Sequence, residues 1–204
     1  MTPTERRELA AKIAPEDSDR ALAVARGISD PWFACQALAH VARFSPENKF
    51  KRIIEESLRM SYSADDPFKT VASAAWPIRA IVERNRSEML DSIIPELLTR
   101  AEQIELLASR SEALFLLFQA IFPAGRERWL IVFQGLLKAS SPLINWRQRR
   151  NLRDAVLMLR KEEAGLASEI IGALEDAKLK RQIESRMMRP DVRLPRAFFW
   201  RRAA

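Results

Sequence analysis

The sequence predicts an all-α protein, and three observations support this prediction. Among 204 residues there are 29 Ala and 23 Leu but only 7 Val, 4 Thr and 1 Tyr. Alanine and leucine favour helices, whereas strands need the β-branched and aromatic residues that are scarce in this chain. The other two observations are recurring helix-start signals and a hydrophobic repeat, and together they lead us to expect no substantial sheet.

Helix-start signals recur along the chain. Five residue pairs combine an N-cap side chain with proline at the first helical position, where the missing N–H is tolerated. These pairs are Thr2-Pro3, Asp30-Pro31, Ser45-Pro46, Asp66-Pro67 and Ser141-Pro142. Thr2 with Glu5, and Ser109 with Glu112, also have the spacing of capping boxes, in which side chain and backbone satisfy each other reciprocally.

Apolar residues at three- and four-residue spacing between these signals predict eleven short helices joined by short turns. The predicted helices span 3–14, 17–28, 31–43, 46–61, 67–84, 86–101, 104–122, 126–139, 143–161, 163–175 and 177–188. We place one helical domain at 1–188 and a basic, aromatic tail at 189–204. With 48% hydrophobic residues, a chain of this length can bury a substantial core.

Core positions recur at a nearly constant interval along the predicted helices. The first series is Leu38, Ile78, Phe118 and Ala155. The second series is Val41, Ile81, Ile121 and Leu159. The third series, on the partner helices, is Leu58, Leu98, Leu137 and Leu174. Intervals within each series lie between 37 and 40 residues. Because one helical hairpin cannot cover its own apolar face, this period indicates hairpins stacked on one another.

This pattern resembles the HEAT and armadillo-like group of helical repeats. Asp-Pro opens the first helix of two hairpins, and Pro77 and Pro95 lie inside helices, where HEAT units often kink. The stretch 17–42 is the most similar, and the resemblance covers roughly residues 8–175. It implies a right-handed α-α superhelix, an α-solenoid, of about five helical hairpins.

Most familiar catalytic sites are excluded by composition. One cysteine, Cys35, and one histidine, His40, exclude an intramolecular disulfide, a thiolate metal cluster and a two-histidine metal site. The five glycines are scattered rather than gathered in a phosphate-binding loop. We interpret Cys35 as a small core residue and expect a non-enzymatic protein without cofactor or metal. A helical-repeat DNA glycosylase, with Asp154 beside Arg153, is the enzyme class that the motifs leave open.

The chain is expected to remain in the cytoplasm. Its first nine residues are polar and have no apolar stretch behind their arginines, so we expect no secretory signal. The longest apolar stretch, 113–122, is half the length of roughly 20 residues that a membrane span needs. We therefore expect no transmembrane segment.

The whole excess of positive charge lies near the C-terminus. The formal net charge is +7; residues 1–177 sum to zero, and residues 178–204 carry +7. Pro190 and Pro195 predict an extended segment there. The candidate contact residues of the tail are its arginines and aromatics: Arg193, Arg196, Phe198, Phe199, Trp200, Arg201 and Arg202.

Three interpretations of the tail stay open, because adjacent aromatic side chains are costly to leave in water. In the first interpretation, the aromatic side chains fold back as a cap over the last helical pair, whose outer face would otherwise be uncovered. Alternatively, they dock into a partner or into a second copy of the chain, which would make a homo-oligomer. The third possibility is a tail that binds a membrane surface or nucleic acid.

A second basic region lies inside the helical body, where residues 126–153 carry a formal charge of +6. At about 100° per residue, four residues of the helix predicted at 143–161 fall within an arc of roughly 100°: Trp146, Arg149, Arg150 and Arg153. The buried side is predicted to contain Leu152, Ala155, Val156 and Leu159. We name six candidate partner-binding residues the arginine–tryptophan surface: Arg126, Arg128, Trp146, Arg149, Arg150 and Arg153.

The arginine–tryptophan surface also admits three interpretations. In the first interpretation, its arginines pair with acidic residues of adjacent helices, such as Glu162, Glu163, Glu169 or Glu175. Alternatively, they bind the acidic surface of a protein partner, or they contact phosphates while Trp146 stacks on bases. The sequence thus favours a protein–protein interaction or scaffolding module, with a nucleic-acid-binding protein as the alternative.

Overall fold

A computed structural model of the chain describes residues 1–160, 162–189 and 199–200. These ranges contain eleven α-helices and no strand, which confirms the all-α prediction. The helices are α1 (Pro3–Ile13), α2 (Ser18–Arg26), α3 (Pro31–Phe44), α4 (Glu47–Tyr62), α5 (Pro67–Glu83), α6 (Leu90–Glu102), α7 (Leu107–Ile121), α8 (Arg126–Ala139), α9 (Trp146–Leu159), α10 (Ala164–Ala173) and α11 (Ala177–Met187). None of them combines the length and the apolarity that a membrane span requires.

Local sequence signals start three helices where they were predicted. Thr2 accepts the backbone N–H of Glu5, and the Glu5 carboxylate accepts the backbone N–H of Thr2, which completes the capping box of α1. Asp30 and Asp66 cap α3 and α5 with their carboxylates, and a proline follows each of them in the first turn. A cap of this kind stabilises a helix by about 0.5–2 kcal/mol.

At three other predicted start signals the serine does not cap a helix, although α4 begins at Glu47, one residue after the predicted start. Ser45 ends α3, and its hydroxyl donates to the carbonyl of Ala42. Ser109 lies within α7, so it forms no capping box. Ser141 is followed by a loop, and α9 begins only at Trp146.

The repeated core positions lie on alternate helices, as the period predicts. All eight members of the first two series are buried, and they lie on α3, α5, α7 and α9. The third series lies on α4, α6, α8 and at the end of α10, where its members are buried or partly buried in the same core.

The helices pack against one another in chain order. Each odd-numbered helix packs on the next one, from α1 on α3 through to α9 on α11. Each of the helices α1, α3, α5, α7 and α9 also packs on the helix that follows it and forms a hairpin with it. The resulting core is continuous from Ala10 in α1 to Ile183 in α11. This order places α3 beside α5, and it places α9 between α7 and α11.

Candidate functional site

The arginine–tryptophan surface is built on α8 and α9. Asn145 caps α9 by accepting the backbone N–H groups of Arg147 and Gln148, and Gln148 in return accepts the backbone N–H of Asn145. This start leaves Trp146 63% exposed at the first helical position. The opposite side of the helix is buried as predicted, at Leu152, Ala155, Val156 and Leu159.

All five arginines of this surface pair with carboxylates of the chain itself. The nitrogen-to-oxygen distances lie between 2.7 and 3.4 Å. The pairs are Arg126–Glu163, Arg128–Asp91, Arg149–Asp176, Arg150–Glu112 and Arg153–Asp154. Four of them join α8 or α9 to another helix or to its N-cap. Glu163 alone, of the four carboxylates suggested by the sequence, takes part in these pairs.

Asp176 illustrates how these pairs join neighbouring helices. Its carboxylate accepts the Arg149 Nε at 2.7 Å and the backbone N–H groups of Lys178 and Leu179 at the start of α11. The hydrogen bond from Arg149, helped by those two N–H groups, lowers the pKa of Asp176. An acidic partner or a phosphate would therefore meet a guanidinium whose charge is already balanced by a carboxylate of the chain.

Trp146 is an exposed aromatic ring beside two guanidinium groups. The guanidinium carbons of Arg147 and Arg150 lie 5.7 and 5.2 Å from its ring centroid, which is within cation–π range. Ile144, two residues earlier, is 68% exposed. A flat ligand could stack on this ring, although Arg150 is shared with Glu112.

Phe199 and Trp200 lie on α3 and α5, so the interpretation in which they cap the last helical pair is wrong. The indole N–H of Trp200 donates to Oε1 of Glu83 at 2.9 Å. Phe199 is buried, with its ring centroid 5.4 Å from that of Trp76. The physical reason is that α10 and α11 contain no aromatic residue, whereas α3 and α5 supply rings and charges for an indole. Phe198, Arg193, Arg196, Arg201 and Arg202 lie outside the described residues.

Four side chains of α3 and α5 contact the Trp200 indole, and we name them the aromatic cage: His40, Arg43, Trp76 and Glu83. The ring centroids of His40 and Trp76 lie 5.0 and 5.1 Å from that of Trp200, with interplanar angles of 73° and 75°. These are edge-to-face contacts, which aromatic quadrupoles favour. The guanidinium carbon of Arg43 lies 4.2 Å from the centroid of Trp200. The cage thus combines aromatic, cation–π and hydrogen-bonding contacts.

Helical spacing and helix packing bring the cage together. His40 and Arg43 are three residues apart on α3, and Trp76 and Glu83 are seven residues apart on α5, so each pair shares one face of its helix. The packing of α3 on α5 then joins the two faces. The sequence analysis missed these residues because each pair is an ordinary helical spacing. The signal that could have pointed to them is the aromatic tail, which needed a surface to cover.

The charges of the cage are set by burial and by its arginines. Burial raises the pKa of Glu83, but hydrogen bonds from Arg79 and Trp200 and the positive charge of Arg43 outweigh it and lower that pKa overall. Burial, together with the charge of Arg43, lowers the pKa of His40 to about 4. At neutral pH the cage therefore presents a neutral imidazole and an ionised carboxylate.

Cys35 is buried in the core, which confirms its interpretation from the sequence. Its sulfur contacts the hydroxyl of Ser57 and the carbonyl of Ser73. Burial raises the pKa of the thiol to about 12, so it is not a nucleophile at neutral pH. Within the described ranges, no group of three His, Cys, Asp or Glu residues is placed to hold a metal ion.

A shallow pocket of about 270 Å³ lies between α6, α7 and α8. Leu98, Leu114 and Gly135 are among its lining residues, and Glu102 and Lys138 form an ion pair beside them. It could take a small apolar side chain, but it holds no segment of the described chain.

No protein-family model matches the chain, and no curated protein or solved structure is significantly similar to it. Its function has to be inferred from the two surfaces themselves.

Proposed function

We propose that the chain is a non-enzymatic protein-binding module, an α-solenoid of the HEAT type that holds a peptide segment of its partner in the aromatic cage. Support for the solenoid comes from the packing of odd-numbered helices on one another in chain order, because stacked repeats contact their neighbours in this way. Support for peptide binding comes from one observation, the seating of Phe199 and Trp200 on α3 and α5.

The contacts of Trp200 are those on which peptide recognition depends. Tryptophan and arginine are the residues that most often dominate binding energy in protein interfaces. Here an indole is held by the guanidinium of Arg43, by two aromatic edges and by a carboxylate. A partner peptide that presents a phenylalanine followed by a tryptophan would make the same contacts with the cage.

The pairing of the arginine–tryptophan surface favours a structural role for its arginines. The Arg126, Arg128 and Arg149 pairs each join neighbouring helical units. Partly exposed ion pairs stabilise a protein by about 0–1 kcal/mol each, so they orient helices more than they stabilise them. We therefore assign partner binding to the aromatic cage rather than to these arginines.

The test uses the full-length chain with its cage vacated by Phe199→Ala and Trp200→Ala. Fluorescence anisotropy measures the binding of a fluorescein-labelled peptide of residues 193–204 to this variant. We expect saturable binding with a Kd on the order of 10–100 μM, because two aromatic anchors supply most of the roughly 6 kcal/mol that such an affinity requires. Absence of saturation at about 1 mM, the effective concentration of a tethered tail, would refute the proposal.

A matched pair of variants locates the binding. Arg43→Gln in the vacated chain removes the cation–π contact and should weaken peptide binding about 3- to 30-fold. Arg79→Gln is the control, because Arg79 bonds Oε1 of the same Glu83 carboxylate but makes no ring contact with Trp200 in the structure. Equal effects of the two substitutions would place the peptide elsewhere.

A nucleic-acid-binding function is the second candidate, and the exposed Trp146 beside Arg147 and Arg150 is the observation in its favour. If this candidate function is correct, we expect the chain to bind single-stranded oligonucleotides with an affinity that falls steeply with salt. The logarithm of the binding constant should fall against the logarithm of the salt concentration with a slope of about −0.7 per phosphate contacted. Trp146→Ala should then reduce affinity at every salt concentration. Lack of binding at low salt removes this candidate.

A further inference from the structure

The carboxylate of Glu83 is directed at the one polar atom of the Trp200 side chain. Its Oε1 accepts the indole N–H at 2.9 Å and Nε of Arg79 at 2.7 Å, while Oε2 accepts Nε of Arg43 at 2.7 Å. An ionised carboxylate only accepts hydrogen bonds, so this position favours a ring that donates one. Phenylalanine has no such donor, and the hydroxyl of tyrosine lies at a different place on the ring.

The remaining contacts favour the same side chain. Arg43 lies over the ring face of Trp200, and tryptophan is the best of the aromatic residues for a cation–π contact. His40 and Trp76 both contact the indole in edge-to-face geometry and hold it from two sides, one on α3 and one on α5.

The backbone of Trp200 shows how strongly these contacts hold the residue. Its φ is 55°, in the left-handed region that residues other than glycine avoid at a cost of about 1–2 kcal/mol. Such a conformation persists only where the surroundings determine it. The side-chain contacts of the cage therefore outweigh the backbone preference of the segment.

We infer that the aromatic cage is a tryptophan-selective peptide site, in which Glu83 and Arg43 recognise the indole and Trp200 is the resident competitor in cis. The inference rests on the proposed function and names the partner's chemistry: an exposed peptide segment with an aromatic pair that ends in tryptophan. Such a segment must displace the chain's own tail. A tethered tail competes at an effective concentration of about 1 mM, so the intact chain binds the partner segment about tenfold or more weakly than the vacated chain.

Selectivity is tested with two labelled peptides on the full-length Phe199→Ala, Trp200→Ala chain. One peptide has the sequence of residues 193–204, and the other carries phenylalanine at the position of Trp200. A hydrogen bond to a charged group contributes about 1.5–3 kcal/mol, so the tryptophan peptide should bind about 10- to 100-fold more tightly. Adding Glu83→Leu should reduce this ratio to below about threefold, whereas Glu83→Gln, which keeps an acceptor oxygen, should leave an intermediate ratio.

The outcomes separate this inference from the proposed function. Equal binding of both peptides overturns the selectivity but leaves a peptide-binding module standing, and binding of neither peptide refutes both. A ratio that is unchanged by Glu83→Leu, in a variant whose circular dichroism and thermal unfolding match the parent, overturns the role of Glu83.

Competition in cis is tested by comparing the intact chain with the vacated chain. Equal affinity of the two for the tryptophan peptide would show that Trp200 does not occupy the cage. A tail exchanged between copies would instead give a dimer whose sedimentation depends on concentration and is lost on Trp200→Ala, and this result would overturn occupancy in cis.

Discussion

Replacing Gln148 with alanine tests how the loop in front of α9 is held. The side chain is fully buried; its oxygen accepts the backbone N–H groups of Ile144 and Asn145, and its amide donates to the carbonyls of Ala139 and Pro142. Four hydrogen bonds at about 0.5–1.5 kcal/mol each amount to roughly 2–6 kcal/mol. Because water can reach parts of the exposed loop and replace some of them, we expect the free energy of unfolding to fall by about 3 kcal/mol.

The measurement is urea unfolding followed by circular dichroism, in which a lower midpoint at an unchanged slope reports a loss of stability. Gln148→Glu should also destabilise the chain at neutral pH, because a carboxylate accepts from the two N–H groups but cannot donate to the two carbonyls. Gln134→Ala, at an exposed position on α8, is the control and should change stability by less than about 0.5 kcal/mol. A loss below about 1 kcal/mol for Gln148→Ala would refute this reasoning.

Three further predictions follow from the electrostatics and burial of other residues. The pKa of His40, about 4 in the folded chain, lies below that of an unfolded histidine, so the unfolded state binds more protons at mildly acidic pH. Stability should therefore fall by about 2 kcal/mol from pH 7 to pH 5. The dependence of stability on pH should be weaker in His40→Phe. An identical dependence in that variant would contradict the lowered pKa of His40. Asp176→Ala removes the cap of α11 and the partner of Arg149, and should lower the free energy of unfolding in urea by about 1–3 kcal/mol. Asp176→Asn keeps a capping oxygen and should lose less of the free energy of unfolding. An equal loss in both variants would show that the cap contributes little to stability. Cys35 should not react with a thiol reagent at pH 8 until the chain is unfolded, because the thiol is buried and its pKa is raised to about 12. Rapid labelling of the native chain would contradict that burial.

Features that depend on neighbours in sequence were predicted well. Thr2, Asp30 and Asp66 cap helices because each acts on backbone groups two or three residues away. The core series were also predicted, since their spacing places them on the apolar sides of successive helices. Ser141 was wrongly predicted to cap a helix. The helix α9 begins at Trp146, and Asn145 caps it instead.

Features that depend on distant residues were not predictable in the same way. The aromatic tail was identified as a segment that needed a surface, but the sequence did not indicate that the surface was on α3 and α5. The partner of Trp200 is Glu83, 117 residues earlier, and no local pattern joins them. Likewise, charge counting located the arginines of α9 without showing that Asp176 neutralises Arg149.

The sequence by itself determined the helical class, most helix starts and the alternation of core positions, because these follow from propensity, capping and periodicity within about forty residues. Only the tertiary structure decided which charges are matched and which aromatic side chains meet. Those outcomes depend on how helices that are distant in the sequence pack against one another, and local residue spacing contains no information about such contacts.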